Sequence, residues 1–248
     1  MKAAILNDLS KCIGCEACAI ACKEINGNDK TTPNHILSSS TWSSVEHRRG
    51  VNIRRHCMHC EVPACVSACP VAALEKTPEG AVIYDADKCM GCRYCMIACP
   101  FGIPKYEWNK PIPRVQKCIF CYDKALKQGK PPACTSACPT GATLFGDHDD
   151  LLKEANRRIQ DNPGKYVPHV YGAGEAGGTS VLYLSTVPFA ELGFPMSLQK
   201  NPYPQLTWNI LSKIPNIVGT GAVLLGGIWW IINRRIKLEK SKDDQLQS

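Results

Sequence analysis

The sequence is short of several things that would mark other classes of protein. Its first residues, "MKAAILNDLSK", lack the charged region, apolar core and cleavage site of a secretory signal. They are expected to form a short strand, in a chain that is cytoplasmic, has shed a leader, or travels with an exported partner. Aromatic residues make up only 7% of 248, and no recognition motif or stacking platform stands among them. A nucleic-acid partner is therefore not expected, despite a formal charge of +7. No cysteine stands alone: all sixteen fall within four tight groups. A disulfide framework belongs to small secreted domains without a core, and 44% hydrophobic residues in 248 suffice for a core in one domain or two.

What is present is the grouping itself. The groups are "CIGCEACAIAC" (Cys12, Cys15, Cys18, Cys22), "CMHCEVPACVSAC" (Cys57, Cys60, Cys65, Cys69), "CMGCRYCMIAC" (Cys89, Cys92, Cys95, Cys99) and "CIFCYDKALKQGKPPACTSAC" (Cys118, Cys121, Cys134, Cys138). Each ends in C-x3-C. Pro70, Pro100 and Pro139 follow three of them directly, and Lys23 stands in that place after the first. Two groups carry C-x2-C-x2-C-x3-C outright, and two lengthen one spacer. This is the bacterial two-cluster ferredoxin pattern, in which three close cysteines hold one 4Fe–4S cluster and the fourth reaches another. Cys99 is then expected to leave the cluster of Cys89, Cys92 and Cys95.

Zinc also takes C-x2-C pairs, but a zinc site needs no fourfold repeat ending in proline, and purely structural clusters would not need four in series. Charge agrees with iron–sulfur. A cubane core held by four thiolates carries about −2, so four would bring the +7 chain to about −1. The excess Lys and Arg then compensates buried negative clusters.

The flanks suit this reading. "AAILN", "VNIRR", "AVIY" and "PRVQK" are expected strands entering the groups, with "TPEG" as a turn. Ile13, Ile20, Val66, Met90, Ile97 and Ile119 are expected to keep water from the sulfurs. His56 and His59 flank Cys57; since every expected ligand is a cysteine, they are expected to be loop residues or hydrogen-bond donors rather than ligands. Arg93 and Tyr94 face a partner or screen a cluster. Residues 147–160 read as an amphipathic helix with Leu151, Leu152, Ala155 and Ile159 on its apolar stripe. Gly172, Gly174 and Gly177 match G-x-G-x-x-G, but the strand-like "TSVLYLSTV" follows where a phosphate cradle requires a helix.

Residues 214–232, "IPNIVGTGAVLLGGIWWII", carry no charge. As a helix they reach roughly 28 Å, close to the thickness of membrane hydrocarbon. Pro215 is tolerated at the start, Trp229 and Trp230 suit an interface, and Gly219, Gly221, Gly226 and Gly227 allow close helix approach. Arg234, Arg235, Lys237, Lys240 and Lys242 follow, against Lys200 and Lys213 before. The positive-inside rule puts the tail in the cytoplasm and the cysteine groups outside.

Together these residues resemble the four-cluster, ferredoxin-like electron-transfer subunits of complex iron–sulfur molybdoenzymes and of membrane-bound nickel–iron hydrogenases, over roughly residues 8–235. "GCRYCMIACPFGIPKY" and "GGTSVLYLSTVPFAELGFP" resemble the iron–sulfur subunit of hydrogenase-2-type enzymes slightly better than the beta subunit of formate dehydrogenase-N. The resemblance implies four 4Fe–4S clusters, held by Cys12, Cys15, Cys18 and Cys138; by Cys22, Cys118, Cys121 and Cys134; by Cys57, Cys60, Cys65 and Cys99; and by Cys69, Cys89, Cys92 and Cys95. Some relatives have tryptophan in the third group and a 3Fe–4S cluster, whereas Cys92 is present here. The implied fold is α+β: two interleaved bacterial ferredoxin-like modules, an extended C-terminal arm and one C-terminal transmembrane helix. Module A spans 1–30 plus 113–146 and module B 51–112. Residues 147–210 form the helix and arm, 211–233 the transmembrane helix and 234–248 a basic tail.

The implied function is electron relay without bond chemistry, from a catalytic subunit to an integral membrane quinone-reactive subunit. Hydrogenase small and large subunits are the favoured partners, with a formate dehydrogenase or other molybdenum/tungsten oxidoreductase as the alternative. The implied location is the bacterial inner membrane, with the cluster domain periplasmic. A self-contained enzyme would need an open iron site or a cofactor cradle, and a structural scaffold would hold redox-silent clusters.

Overall fold

The computed structural model describes residues 2–246; Met1 and residues 247–248, at the ends of the expected module A and basic tail, lie outside the described residues, as do the side chains from 239 on, Lys240 and Lys242 among them. The chain divides into one compact unit through Pro204 and a second from Gln205.

The first unit is built on β1 (Ala3–Asp8), whose six residues are all buried. Alternation explains this burial. Ala3 and Ile5 point into an aromatic core, and Ala4 and Leu6 point to the opposite face. β8 (Thr143–Asp147) pairs antiparallel along one edge, with Ile5 opposite Phe145. β9 (Val181–Leu184) pairs parallel along the other, with Ile5 opposite Val181. Three hairpins complete the strands: β2 (Ser44–Arg48) with β3 (Val51–Arg55), β4 (Leu74–Lys76) with β5 (Val82–Tyr84), and β6 (Lys105–Tyr106) with β7 (Val115–Gln116). Arg49 and Gly50 both take positive φ in the β2–β3 turn, the geometry of a two-residue hairpin. In the "TPEG" turn Gly80 has φ +101°, and a Cβ there would meet the Ala3 carbonyl oxygen at 3.0 Å.

Short helices carry the cysteines: α1 (Ala17–Asn26), α2 (Ala64–Ser67), α3 (Tyr94–Ala98) and α4 (Ala133–Ser136). α1 packs on α4 and α2 on α3. α5 (His148–Asp161) starts where Asp147 accepts a hydrogen bond from the Asp149 N–H at 3.1 Å. Its Leu151 and Ala155 are buried on Ala4, Leu6, Leu182 and Leu184. At its far end Arg158 Nη1 reaches the buried Asp8 carboxylate at 2.8 Å.

The arm after α5 is held by aromatic packing. Tyr171, Tyr183, Phe189 and Phe194 are all buried, with ring centroids 4.7 Å apart for Tyr171–Phe194 and 5.1 Å for Tyr183–Phe194. The Gly172–Gly177 loop serves this packing: a Cβ on Gly172 would lie 2.2 Å from the Val181 carbonyl oxygen, and one on Gly177 2.4 Å from Pro202. The amides of Gly172 and Gly174 donate to Glu175 Oε2 at 2.7 and 3.3 Å, so the chain's own carboxylate occupies the glycine amides.

In the second unit, α6 (Tyr203–Leu211, most of it past the boundary) precedes α7 (Ile214–Leu246). Within Tyr203–Leu238 an 18-residue stretch reaches a mean hydropathy of 1.5, and the helix is long and apolar enough to cross a membrane.

Candidate iron–sulfur sites

Each cysteine group follows the end of a strand: β1, β3, β5 and β7 end at Asp8, Arg55, Tyr84 and Gln116. The backbone then repeats itself. The residue before the second cysteine of each group takes positive φ: Gly14 +74°, His59 +49°, Gly91 +75° and Phe120 +63°. Past the Pro70, Pro100 and Pro139 turns, Ala72, Gly102 and Gly141 do the same at +49°, +63° and +62°. These left-handed residues curl the chain so that successive thiols converge.

The thiols gather in four sets. Cys12, Cys15, Cys18 and Cys138 line one cavity. Cys69, Cys89, Cys92 and Cys95 line another. Cys22 lies within electrostatic reach of Cys134 and Cys121, and Cys118 of all three. Cys60 and Cys65 each feel Cys57 and Cys99. The sets also neighbour one another: Cys118 feels Cys57, Cys65 feels Cys95, and Cys18 feels Cys134.

Burial and mutual repulsion push most of these thiols up, Cys18 and Cys95 to about 11, Cys22 and Cys65 to about 12. Cys89 and Cys138 go the other way. Burial opposes the thiolate there too, but hydrogen bonds outweigh it, from the Gly91 and Val115 amides on Cys89, and from Thr143, Thr140 and Ala142 on Cys138. The Ala73 amide donates to Cys69 Sγ at 3.2 Å and the Phe120 amide to Cys118 Sγ at 3.4 Å. Such N–H···S bonds favour thiolate.

The donor sets fit 4Fe–4S clusters. Among the described residues no three His, Cys, Asp or Glu groups are drawn tightly enough for a single metal ion, whereas four thiols spaced around a cavity suit a cubane. Buried cations supply counter-charge. Arg54, 2% exposed, donates from Nε to Ser43 Oγ at 3.0 Å and from Nη1 to Asn7 Oδ1 at 3.3 Å, leaving Nη2 without a partner. Burial works against its charge, but Cys134, Cys18 and Cys118 hold it protonated. Lys117 is equally buried and lowers the Cys65 thiol; its Nζ donates to the carbonyls of Val82 and Cys118. Lys23 is buried too, donating to the Thr32 carbonyl. From the sequence alone these cations count only toward net charge. Their signal in the sequence is position: Arg54 lies near the end of β3, three residues before Cys57, and Lys117 and Lys23 adjoin cysteines.

Two other expectations fare differently. Ile20 and Ile97 stand exposed, Ile97 at 84%, whereas Ile13 and Met90, though also exposed, line the cavities of the first and fourth cysteine sets. Val66 and Ile119 are half-buried. Arg93 and Tyr94 are exposed, the Arg93 guanidinium lying 5.5 Å from the Tyr106 ring and 5.3 Å from Trp108. His56 and His59 are buried, and burial, reinforced by Arg54 and by Lys117 respectively, holds both neutral.

Comparison with known proteins agrees with this chemistry. Residues 51–148 match the 4Fe-4S dicluster domain family and residues 9–26 the 4Fe-4S binding domain family. A protein of Nitratidesulfovibrio vulgaris is 38% identical over 94% of this chain and 68% of its own length. The hydrogenase-2 operon protein HybA of Shigella flexneri is 39% identical over 77% of this chain and 72% of its own. The formate dehydrogenase iron-sulfur subunit of Haemophilus influenzae is 34% identical over 92% and 78%. With sixteen cysteines in repeated ferredoxin spacing and relatives of this extent, the chain belongs to the family of electron-transfer iron–sulfur subunits that carry multiple 4Fe–4S clusters.

Proposed function

We propose that this chain relays electrons through four 4Fe–4S clusters between a catalytic hydrogenase and a membrane quinone-reactive subunit. The four cysteine sets described above are the ligand sets. Groups one and four then form one ferredoxin-like module (1–30 plus 113–146), and groups two and three a second (51–112) interleaved with it. The observation that carries the reading is the exchange of last cysteines: Cys138 joins Cys12, Cys15 and Cys18, and Cys69 joins Cys89, Cys92 and Cys95, around separate cavities. Further support is the packing of α1 on α4 and of α2 on α3.

When bound, the clusters supply one-electron carriers. The protein's part is to hold them near one another, exclude water and balance charge. Arg54 and Lys117 offset thiolate charge in the interior, where an uncompensated charge would be costly. Neighbouring sets share close thiols, which suits a continuous path.

In this reading the apolar stretch about 211–233 anchors the chain in the inner membrane, with the cluster unit periplasmic and the basic tail cytoplasmic. Its support is the length and hydropathy of the helix and the Lys/Arg imbalance across it. The hydrogenase partner is supported by the similarity to HybA; a formate dehydrogenase partner is the alternative, supported by the second group of relatives.

Iron and acid-labile sulfide assays test the cluster count, with about sixteen of each expected per chain. Far fewer, or zinc in their place, would refute it. Nickel in the co-purifying large subunit is expected, whereas molybdenum or tungsten would select the alternative. Protease added to intact spheroplasts should digest the cluster unit; protection would overturn the orientation.

A further inference from the structure

The left-handed position before the second cysteine is glycine in the first and third groups, Gly14 and Gly91. In the other two it is His59 and Phe120. Glycine accepts that conformation freely, whereas a bulky side chain is strained there. Two of four equivalent loops therefore keep a ring where the backbone favours none.

The two rings meet. Their centroids are 4.5 Å apart with planes tilted 47°, and both residues are buried, at 0% and 1% exposure. His59 stands between Cys57 and Cys60, Phe120 between Cys118 and Cys121. The stacked pair thus joins the loops of the second and third cysteine sets, whose Cys118 and Cys57 are themselves within electrostatic reach.

His59 differs from Phe120 in carrying a donor. The Val82 amide donates to His59 Nδ1 at 2.9 Å. Nδ1 is therefore unprotonated, and the ring proton is on Nε2. That buried Nε2–H has no partner among the described residues. A buried donor of this kind is rarely left unsatisfied, and the acceptors that the flanking cysteine sets bring with their clusters are sulfurs.

We propose that His59 is a positioning residue for electron passage between the second and third clusters. Its imidazole, stacked on Phe120, fills the gap between the two loops. Its Nε2–H donates a hydrogen bond to a sulfur of one of the clusters it separates. The inference rests on the proposed ligand sets, and iron content distinguishes failure of those sets from failure of this role.

The test uses the full-length, cluster-loaded protein. His59→Phe keeps a ring against Phe120 and removes the N–H. Full iron and sulfide content is expected, with one cluster midpoint moved to lower potential, since a donor to sulfur favours the more negative reduced state. His59→Gln, which keeps an N–H donor, should move that midpoint less. Unchanged midpoints in a fully loaded His59→Phe would overturn the proposal. Pulsed EPR of the unmutated protein with isotope-labelled histidine provides a measurement independent of variant folding. One reduced cluster should couple to a histidine nitrogen. Absence of that coupling, or its persistence in fully loaded His59→Phe, also overturns the role. Low iron in the unmutated protein would instead refute the ligand sets.

Discussion

Arg54→Gln removes one buried positive charge while keeping a side-chain amide near Ser43 and Asn7. Arg54 faces Cys18 of the first set and Cys134 and Cys118 of the second. Reduction adds a negative charge to a cluster, and a nearby cation favours it. For charges about 5–10 Å apart at an effective dielectric near 20, the interaction is about 1.7–3.3 kcal/mol. As a one-electron potential that is about 70–140 mV. Midpoints of the first and second clusters should fall by about that amount, while the third and fourth stay in place. Arg54→Lys, which keeps the charge but loses the planar fork, should recover most of the shift. EPR-monitored redox titration reads the midpoints, with iron and sulfide assays confirming that all clusters are present. Four unchanged midpoints in a fully loaded Arg54→Gln protein would refute the assignment of Arg54 as counter-charge.

Cys69→Ala should abolish the cluster lined by Cys89, Cys92 and Cys95 and leave those of its own group's other cysteines intact; iron analysis with EPR reads which signal disappears. Stripping iron at pH 7 should take up about four protons per cluster beyond those bound by released sulfide, because Cys18, Cys22, Cys65 and Cys95, at about 11 to 12, are thiols in the stripped fold. The loaded state binds fewer protons, so rising pH favours it, and a pH-stat measurement showing no excess uptake would contradict this. Arg158→Met should destabilise the first unit by up to about 3–5 kcal/mol, read as a lowered thermal midpoint, because the buried Asp8 carboxylate would keep only Ser10 and Tyr166 as side-chain donors.

Much of the local structure was legible because it is governed by short-range rules. The short apolar run "AAILN" and the alternation in "VNIRR" marked strands, the spread of Leu151, Leu152, Ala155 and Ile159 marked α5, and "TPEG" marked a turn. Less legible was anything set by what covers a surface. Ile97, two residues from both Cys95 and Cys99, is turned outward, and Ile13 and Met90, each beside a cysteine, line the cavities yet stay open to solvent. The G-x-G-x-x-G match carried no phosphate site because Gly172 and Gly177 are required where the chain crosses Val181 and Pro202. Neither contact is local in sequence.

The sequence alone determined the cofactor chemistry. Sixteen thiols in one repeated spacing leave little else that such a chain can bind, since ligand type and spacing are properties of consecutive residues. The tertiary structure decided which charges and rings occupy the space between the sets. Arg54, Lys117 and the His59–Phe120 pair acquire their surroundings only when strands and loops far apart in the chain are packed together, and an interior of low dielectric makes those placements matter.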